Sequence, residues 1–363
     1  MSEGRIFNFS AGPSMLPEPV LKRVQSELMN YEGCGMSVME MSHRSKVYDK
    51  IITDCEANLR KVLGVPDNYK VLFLQGGATG VFCALPMNLC GSNTKADYIV
   101  SGNFSGGALK EAKKFLGDGA HEAGSTKDLN FTRVPTQDEL TLDPEAAYVH
   151  ICYNNTIYGT KWHYDPETGN VPLIADMSSC ILSEPIDVSR YGIIYGGAQK
   201  NMAPAGFAFV AVREDLIGDE MGITPKIWSF KTQSEKASMI NTPPTFPIYV
   251  CNCVLEYLLE IGGLEEMKKR NVAKSSLLYD YLYSQDFYAP HADKIDRSMM
   301  NVTFRTPNDE LDKEFVASSV EKGFTNLKGH RSVGGLRASI YNAMPYEGVE
   351  ALVDYMKEFA AAH

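Results

Sequence analysis

Short apolar runs at residues 71–74, 98–100, 148–152, 173–175, 193–195 and 207–212 recur along the chain, and the segments between them carry helical periodicity. Runs of that length suit strands buried on both faces. Strands separated by helices are joined by crossovers, so the pattern predicts an α/β architecture with helices layered on a largely parallel sheet. Helix starts are expected at Pro17, Ser45, Thr79 and Ser105, the first because proline suits an opening helical turn. Past the turn-rich 241–244 stretch, a helix-rich region at 250–284 leads to a strand near 300–304. A smaller α+β unit is expected there, with its boundary near Gly262; 363 residues suffice for one large domain and one small one.

Lys and Arg number 35 against 45 Asp and Glu, and the net charge of −10 argues against a broad nucleic-acid or anionic-membrane surface. An anionic partner must then be met by a local basic pocket. The longest apolar stretch, around 207–212, is far short of the roughly 20 residues a membrane helix needs. Residues 1–10 lack the apolar core of a secretion signal, so a soluble cytoplasmic protein is expected. Eight cysteines occur without a CxxC pair, which predicts buried free thiols, with neither a disulfide framework nor a metal site.

Three segments carry chemistry. Gln75-Gly76-Gly77-Ala78-Thr79-Gly80 follows an apolar strand and opens a helix, where small residues let amides approach an anion at the positive end of the helix dipole. It lacks both the Walker and the GxGxxG pattern, and by itself it also fits a plain tight turn. Asp176 ends the run 172–175, and Lys200 follows Tyr195-Gly196-Gly197-Ala198-Gln199. Both would project into the crevice at the carboxyl ends of an open sheet. Either alone also fits a surface or structural role. Together they meet the needs of pyridoxal phosphate: a lysine amine for its aldehyde and a carboxylate beside its ring nitrogen.

Six segments extend that reading: Asn8-Phe9-Ser10-Ala11-Gly12-Pro13, Met41-Ser42-His43-Arg44-Ser45, Ala175-Asp176-Met177-Ser178-Ser179, Gly197-Ala198-Gln199-Lys200-Asn201, Asn241-Thr242-Pro243-Pro244-Thr245-Phe246 and Gly329-His330-Arg331-Ser332-Val333-Gly334-Gly335-Leu336-Arg337. In this order they closely resemble the phosphoserine aminotransferase family, over nearly the whole chain. The resemblance implies a class V, fold-type I pyridoxal 5'-phosphate enzyme. Its large domain (16–261) would carry a mainly parallel seven-stranded sheet between helices. A small α+β domain would combine the N-terminal arm (1–15) with residues 262–363, and two subunits would share their active sites.

By the same resemblance, Lys200 is the Schiff-base lysine and Asp176 the partner of the ring nitrogen. Ala78, Thr79, Ser178 and Gln199 meet the cofactor phosphate, with Asn241 and Thr242 reaching it from the other subunit. Thr156 bonds the ring's hydroxyl side. Phe104, in Gly102-Asn103-Phe104-Ser105, stands where the family commonly has a tryptophan, so it can stack on the ring but offers no indole N–H.

The basic residues argue for anionic substrates. His43-Arg44 and Lys328, His330, Arg331 and Arg337 concentrate donors in two loops of an acidic chain, and arginine presents a fork suited to carboxylate and phosphate. The resemblance assigns the substrate α-carboxylate to Arg337 and the distal phosphate to His43, Arg44, His330 and Arg331. It implies reversible amino transfer from L-glutamate to 3-phosphohydroxypyruvate, giving 2-oxoglutarate and O-phospho-L-serine for serine synthesis. The phosphorylated 4-hydroxythreonine pair of vitamin B6 synthesis is a further candidate. A cysteine desulfurase on the same scaffold is the alternative, and it would need a catalytic cysteine on a mobile loop.

Overall fold

The computed structural model describes residues 4–363; residues 1–3 of the expected N-terminal arm lie outside the described residues. The central sheet has seven strands: β1 (Tyr69–Leu74), β2 (Ala96–Val100), β3 (Ala120–Ser125), β4 (Val149–Cys152), β5 (Leu173–Asp176), β6 (Ile193–Gly197) and β7 (Ala208–Arg213). Their order across the sheet is β1-β7-β6-β5-β4-β2-β3. Only β7 runs against the rest, antiparallel to both neighbours. Strands β2, β4, β5 and β6 are buried throughout, which is why they read as unbroken apolar runs. No such run announced β3, Ala-His-Glu-Ala-Gly-Ser, an edge strand with half its residues exposed.

Local capping explains where the helices begin. Helix Glu18–Glu27 follows Pro17, and Lys46–Leu63 is capped by Ser45, whose Oγ accepts from Tyr48 N at 3.2 Å. Two helices start earlier than the sequence suggests. Gly77–Leu89 begins two residues before Thr79, because Gly76, at φ 94°, turns the chain straight out of β1. Asn103–Leu116 begins two residues before Ser105, whose hydroxyl instead reaches back to accept from Ser101 N and Gly102 N at 3.0 and 3.1 Å.

The helix-rich region resolves into Thr245–Glu260 and Gly263–Tyr283, bent by 86° at the break before Gly263. The longer helix straddles two cores. Leu264 and Met267 pack with residues flanking the large sheet, whereas Leu278, Tyr279 and Leu282 join Phe9, Met15, Phe315 and Leu352 in a separate apolar cluster. Strand Asn301–Arg305 pairs antiparallel with Leu336–Ser339, and Phe7–Asn8 pairs parallel with Phe324–Thr325, which ties the N-terminal arm to the C-terminal part. Among the described residues, no single helix is long and apolar enough to cross a membrane.

Candidate active site

The carboxyl ends of β1, β2, β4, β5 and β6 open into one cavity of about 640 Å³, and the reversed β7 brings Phe207, just before its first residue, to the same end. Parallel strands make this convergence: each β-to-helix turn faces the same side of the sheet. Register levels the groups further, since Cys152, Asp176 and Tyr195 pair across β4, β5 and β6.

Lys200 stands on the turn after β6, with 9% of its surface exposed. Its Nζ donates to Thr156 Oγ1 at 2.8 Å and lies 5.3 Å from the centroid of the Phe104 ring. Burial lowers this amine from 10.5 to about 8; the Asp176 charge opposes the fall and the Arg337 charge adds to it. Ser14 holds the backbone here, its N–H donating to Gln199 O at 3.0 Å and its hydroxyl to Lys200 O. Gly12 packs on the lysine stem, where a Cβ would meet Lys200 Cγ at 3.3 Å.

Asp176 accepts from Ser178 N and Ser178 Oγ at 2.8 and 2.5 Å, and its other oxygen faces the Cys152 thiol at 3.8 Å. Burial pushes its carboxyl up, while the Ser178 bonds and the Lys200 charge pull it back. A buried carboxylate so placed favours a cationic partner. The Ser178 hydroxyl also accepts from Gly197 N at 2.9 Å, so in this structure it ties β5 to β6.

Residues 76–79 form the anion cradle. Gly80 N bonds Gly76 O at 3.1 Å, which leaves the amides of Gly77, Ala78 and Thr79 at the open end of the helix. Trp228 seals the back of this turn: a Cβ would meet its Cη2 at 2.8 Å from Gly76 and 2.3 Å from Gly80. On the next strand end, Asn155 Nδ2 donates to Ser101 O at 2.6 Å and lies 2.3 Å from where a Gly102 Cβ would stand, so only glycine fits there.

Arg337 lines the cavity with Nη1 donating to Thr156 O at 3.2 Å. Its buried Nε and the Ser101 hydroxyl find no partner among the described residues. His330 also lines the cavity, and burial followed by the Arg337 and Arg331 charges lowers its imidazole. Amide cradle, aromatic plate, buried carboxylate, softened amine and orphaned donors together fit pyridoxal phosphate and an anionic substrate. Fold and site define a fold-type I pyridoxal-phosphate enzyme.

The aminotransferase class-V family model matches residues 6–352. Phosphoserine aminotransferase of Aromatoleum aromaticum is 50% identical, covering 98% of this chain and 99% of its own. The enzyme of the same name from Pasteurella multocida is 51% identical over 98% and 99%. Among solved structures, phosphoserine aminotransferase from Bacillus circulans subsp. alkalophilus superposes with a TM-score of 0.95 at 47% identity, covering 99% of each chain. The pyridoxal-phosphate-bound enzyme from Trichomonas vaginalis gives 0.93 at 37%, covering 97% of this chain and 100% of that one. The chain therefore belongs to the class-V aminotransferases and is a pyridoxal-phosphate-dependent transaminase acting on amino and keto acids.

Of the residues singled out from sequence, Ala78, Thr79, Phe104, Thr156, Asp176, Ser178, Gln199, Lys200, His330 and Arg337 line this cavity. Four others gather elsewhere. His43 and Arg44 line a separate surface cavity of about 370 Å³. Thr242 Oγ1 lies 3.2 Å from His43 Nδ1, next to the exposed Asn241, and Thr242 O accepts from Gln75 Nε2 at 2.9 Å. Arg331 is exposed on the loop beside His330. Ser14, Gly12, Ser101, Cys152, Asn155 and Trp228 were not anticipated as site residues; only Gly12, within the quoted N-terminal segment, carried a sequence signal. Among the described residues Cys152 is the one cysteine lining the cavity, and burial raises its thiol, so the desulfurase alternative finds no nucleophile on an exposed loop among them there.

Proposed function

We propose that this transaminase moves the amino group between L-glutamate and 3-phosphohydroxypyruvate, giving 2-oxoglutarate and O-phospho-L-serine in serine biosynthesis. The observation that carries the reading is the enclosure of Lys200, Asp176 and Arg337 in one cavity, in a chain half identical to relatives of that name. When bound, pyridoxal phosphate supplies an aldehyde for the amine and a ring that takes up an electron pair.

Lys200 is the proton carrier at the substrate α-carbon. With its amine lowered to about 8 it is partly neutral at physiological pH, so it takes a proton and returns it with little mismatch. Thr156 orients Nζ through its hydroxyl. Asp176, held by Ser178, keeps negative charge at the buried end of the cavity, where it favours a protonated ring nitrogen. Arg337 grips the α-carboxylate with the donors left free by its single bond to Thr156 O. Burial of Lys200, Asp176 and Thr156 limits the water around these exchanges.

The distal anion is met by His330 and Arg331, together with the partner subunit's His43 and Arg44. The partner subunit's Asn241 and Thr242 close the phosphate end of a homodimeric site. The large domain spans 16–261, and the small one combines 1–15 with 262–363, held by the shared cluster of Phe9, Met15 and Leu352. Eight unpaired cysteines among the described residues suit the reducing cytoplasm. The test is the absorption spectrum of the yellow holoenzyme on adding O-phospho-L-serine. Loss of the yellow band with release of 3-phosphohydroxypyruvate is expected; a spectrum that responds equally to L-serine would defeat the assignment of a phosphate-bearing substrate.

A further inference from the structure

Lys274 lies in helix Gly263–Tyr283, outside the catalytic cavity, with 2% of its surface exposed. Its Nζ donates to four main-chain carbonyl oxygens, those of Ile340, Tyr341, Asn342 and Met344, at 3.1, 2.7, 3.2 and 2.9 Å. These partners are carbonyls rather than a carboxylate. Carbonyl oxygens only accept hydrogen bonds, and the lysine amine donates them, so the turn 340–344 is built around one buried donor group. An apolar side chain of the same length would leave the carbonyls facing apolar atoms.

What the turn holds is the immediate surroundings of Lys200. The Tyr341 hydroxyl donates to Ala11 O at 2.6 Å, next to the Gly12 that packs on the Lys200 stem. Asn342 N donates to Asn201 Oδ1 at 3.0 Å, and Asn201 follows Lys200 in the chain. Asn342 Oδ1 accepts from Asn271 Nδ2 at 2.8 Å, one helical turn before Lys274, so the same helix grips the turn twice. Strand Leu336–Ser339, which carries Arg337, runs directly into it.

We propose that Lys274 is a positioning residue of the transaminase: a buried amine whose hydrogen bonds fix the 340–344 turn and, through Tyr341 and Asn342, set Lys200 in the cavity. The inference rests on the assignment of Lys200 as the cofactor-bound lysine. Lys274 also lines a surface cavity of about 480 Å³, together with Arg5 and Arg270. Truncation to alanine removes the equivalent of a propylammonium ion, and this cavity gives a small amine a way in.

The experiment compares wild-type and Lys274→Ala holoenzymes at equal cofactor content. Misplacing a reacting group by a fraction of an ångström lowers turnover, so kcat should fall by about 10- to 100-fold while KM changes by less than about threefold. The melting midpoint should fall as well. Propylammonium should restore both kcat and midpoint, whereas equimolar propanol should restore neither; wild type in the same amine corrects for any direct reaction with the cofactor. Unchanged kcat, a loss confined to KM, or equal effects of amine and alcohol would each overturn the proposal. If the alanine variant does not fold, Lys274→Met fills the space without a donor: the same loss of kcat supports the proposal, and wild-type turnover refutes it. Should Lys200 prove not to be the cofactor lysine, recovery of the melting midpoint by amine would still report the cage, which separates the two failures.

Discussion

Stripping the cofactor isolates the quantity on which the proton-transfer role depends, the affinity of Lys200 for its own proton. Burial lowers this amine from 10.5 to about 8. At pH 7 that raises the neutral, nucleophilic fraction from roughly three in ten thousand to about one in ten, a gain of roughly 300-fold. Recombination of the stripped protein with pyridoxal phosphate should follow that fraction, since only a neutral amine attacks the aldehyde. Measured by the return of yellow colour, the rate should climb about tenfold per pH unit up to about pH 8 and then level off. The signs of the neighbouring charges give two controls. Asp176→Asn removes an anion that holds the proton on Lys200, so the midpoint should move down, and Arg337→Met removes a cation that repels it, so the midpoint should move up. A wild-type rate still climbing tenfold per unit at pH 10, or an upward shift in Asp176→Asn, would refute the argument that burial tunes this lysine.

Gly80→Ala drives a Cβ into the Trp228 ring, 2.3 Å from Cη2, and should cost about 1–3 kcal/mol with weaker cofactor retention. Thermal denaturation reads it, and Trp228→Leu in the same chain should recover part of the loss. Arg337→Ala should damage turnover of phosphoserine and glutamate alike, because both carry an α-carboxylate, whereas Arg331→Ala should lower kcat/KM for phosphoserine by about tens to thousands of fold and glutamate by less. Half-reaction kinetics decide this, and equal losses for the two substrates in Arg331→Ala would count against it. Thr242→Ala should weaken cofactor retention in a dimer seen by sedimentation; a fully active monomer would contradict the shared site.

The strands that position the site were legible because burial on both faces forces continuous apolar runs such as Ile193–Tyr195, and the same logic placed Asp176 and Lys200 at strand ends. Strand β3 was not, because an edge strand of small and polar residues carries no such run. Helix starts slipped by two residues where the capping group lay on the far side of the boundary, as with Ser105. The contacts that tune the site were invisible for another reason. Trp228 against Gly80, Asn155 against Gly102 and the four carbonyls around Lys274 join residues far apart in sequence, and only packing brings them together. A glycine inside a helix reads as a weak point until the ring that demands it is seen. Ser178 lines the cavity, and its hydroxyl bonds Asp176 in the folded chain, a side-chain direction that spacing does not carry.

Among the described residues, two lysines are buried with amines lowered by desolvation, Lys200 to about 8 and Lys274 to about 7. Only Lys200 shares a cavity with Asp176, Phe104 and the cradle at 76–79. Reducing the holoenzyme with borohydride makes the bond between lysine and cofactor permanent, and peptide mapping then locates it. One label is expected, on the peptide containing Lys200, and none in the Lys200→Ala variant. A label on Lys274, or on any lysine outside the cavity, would contradict it.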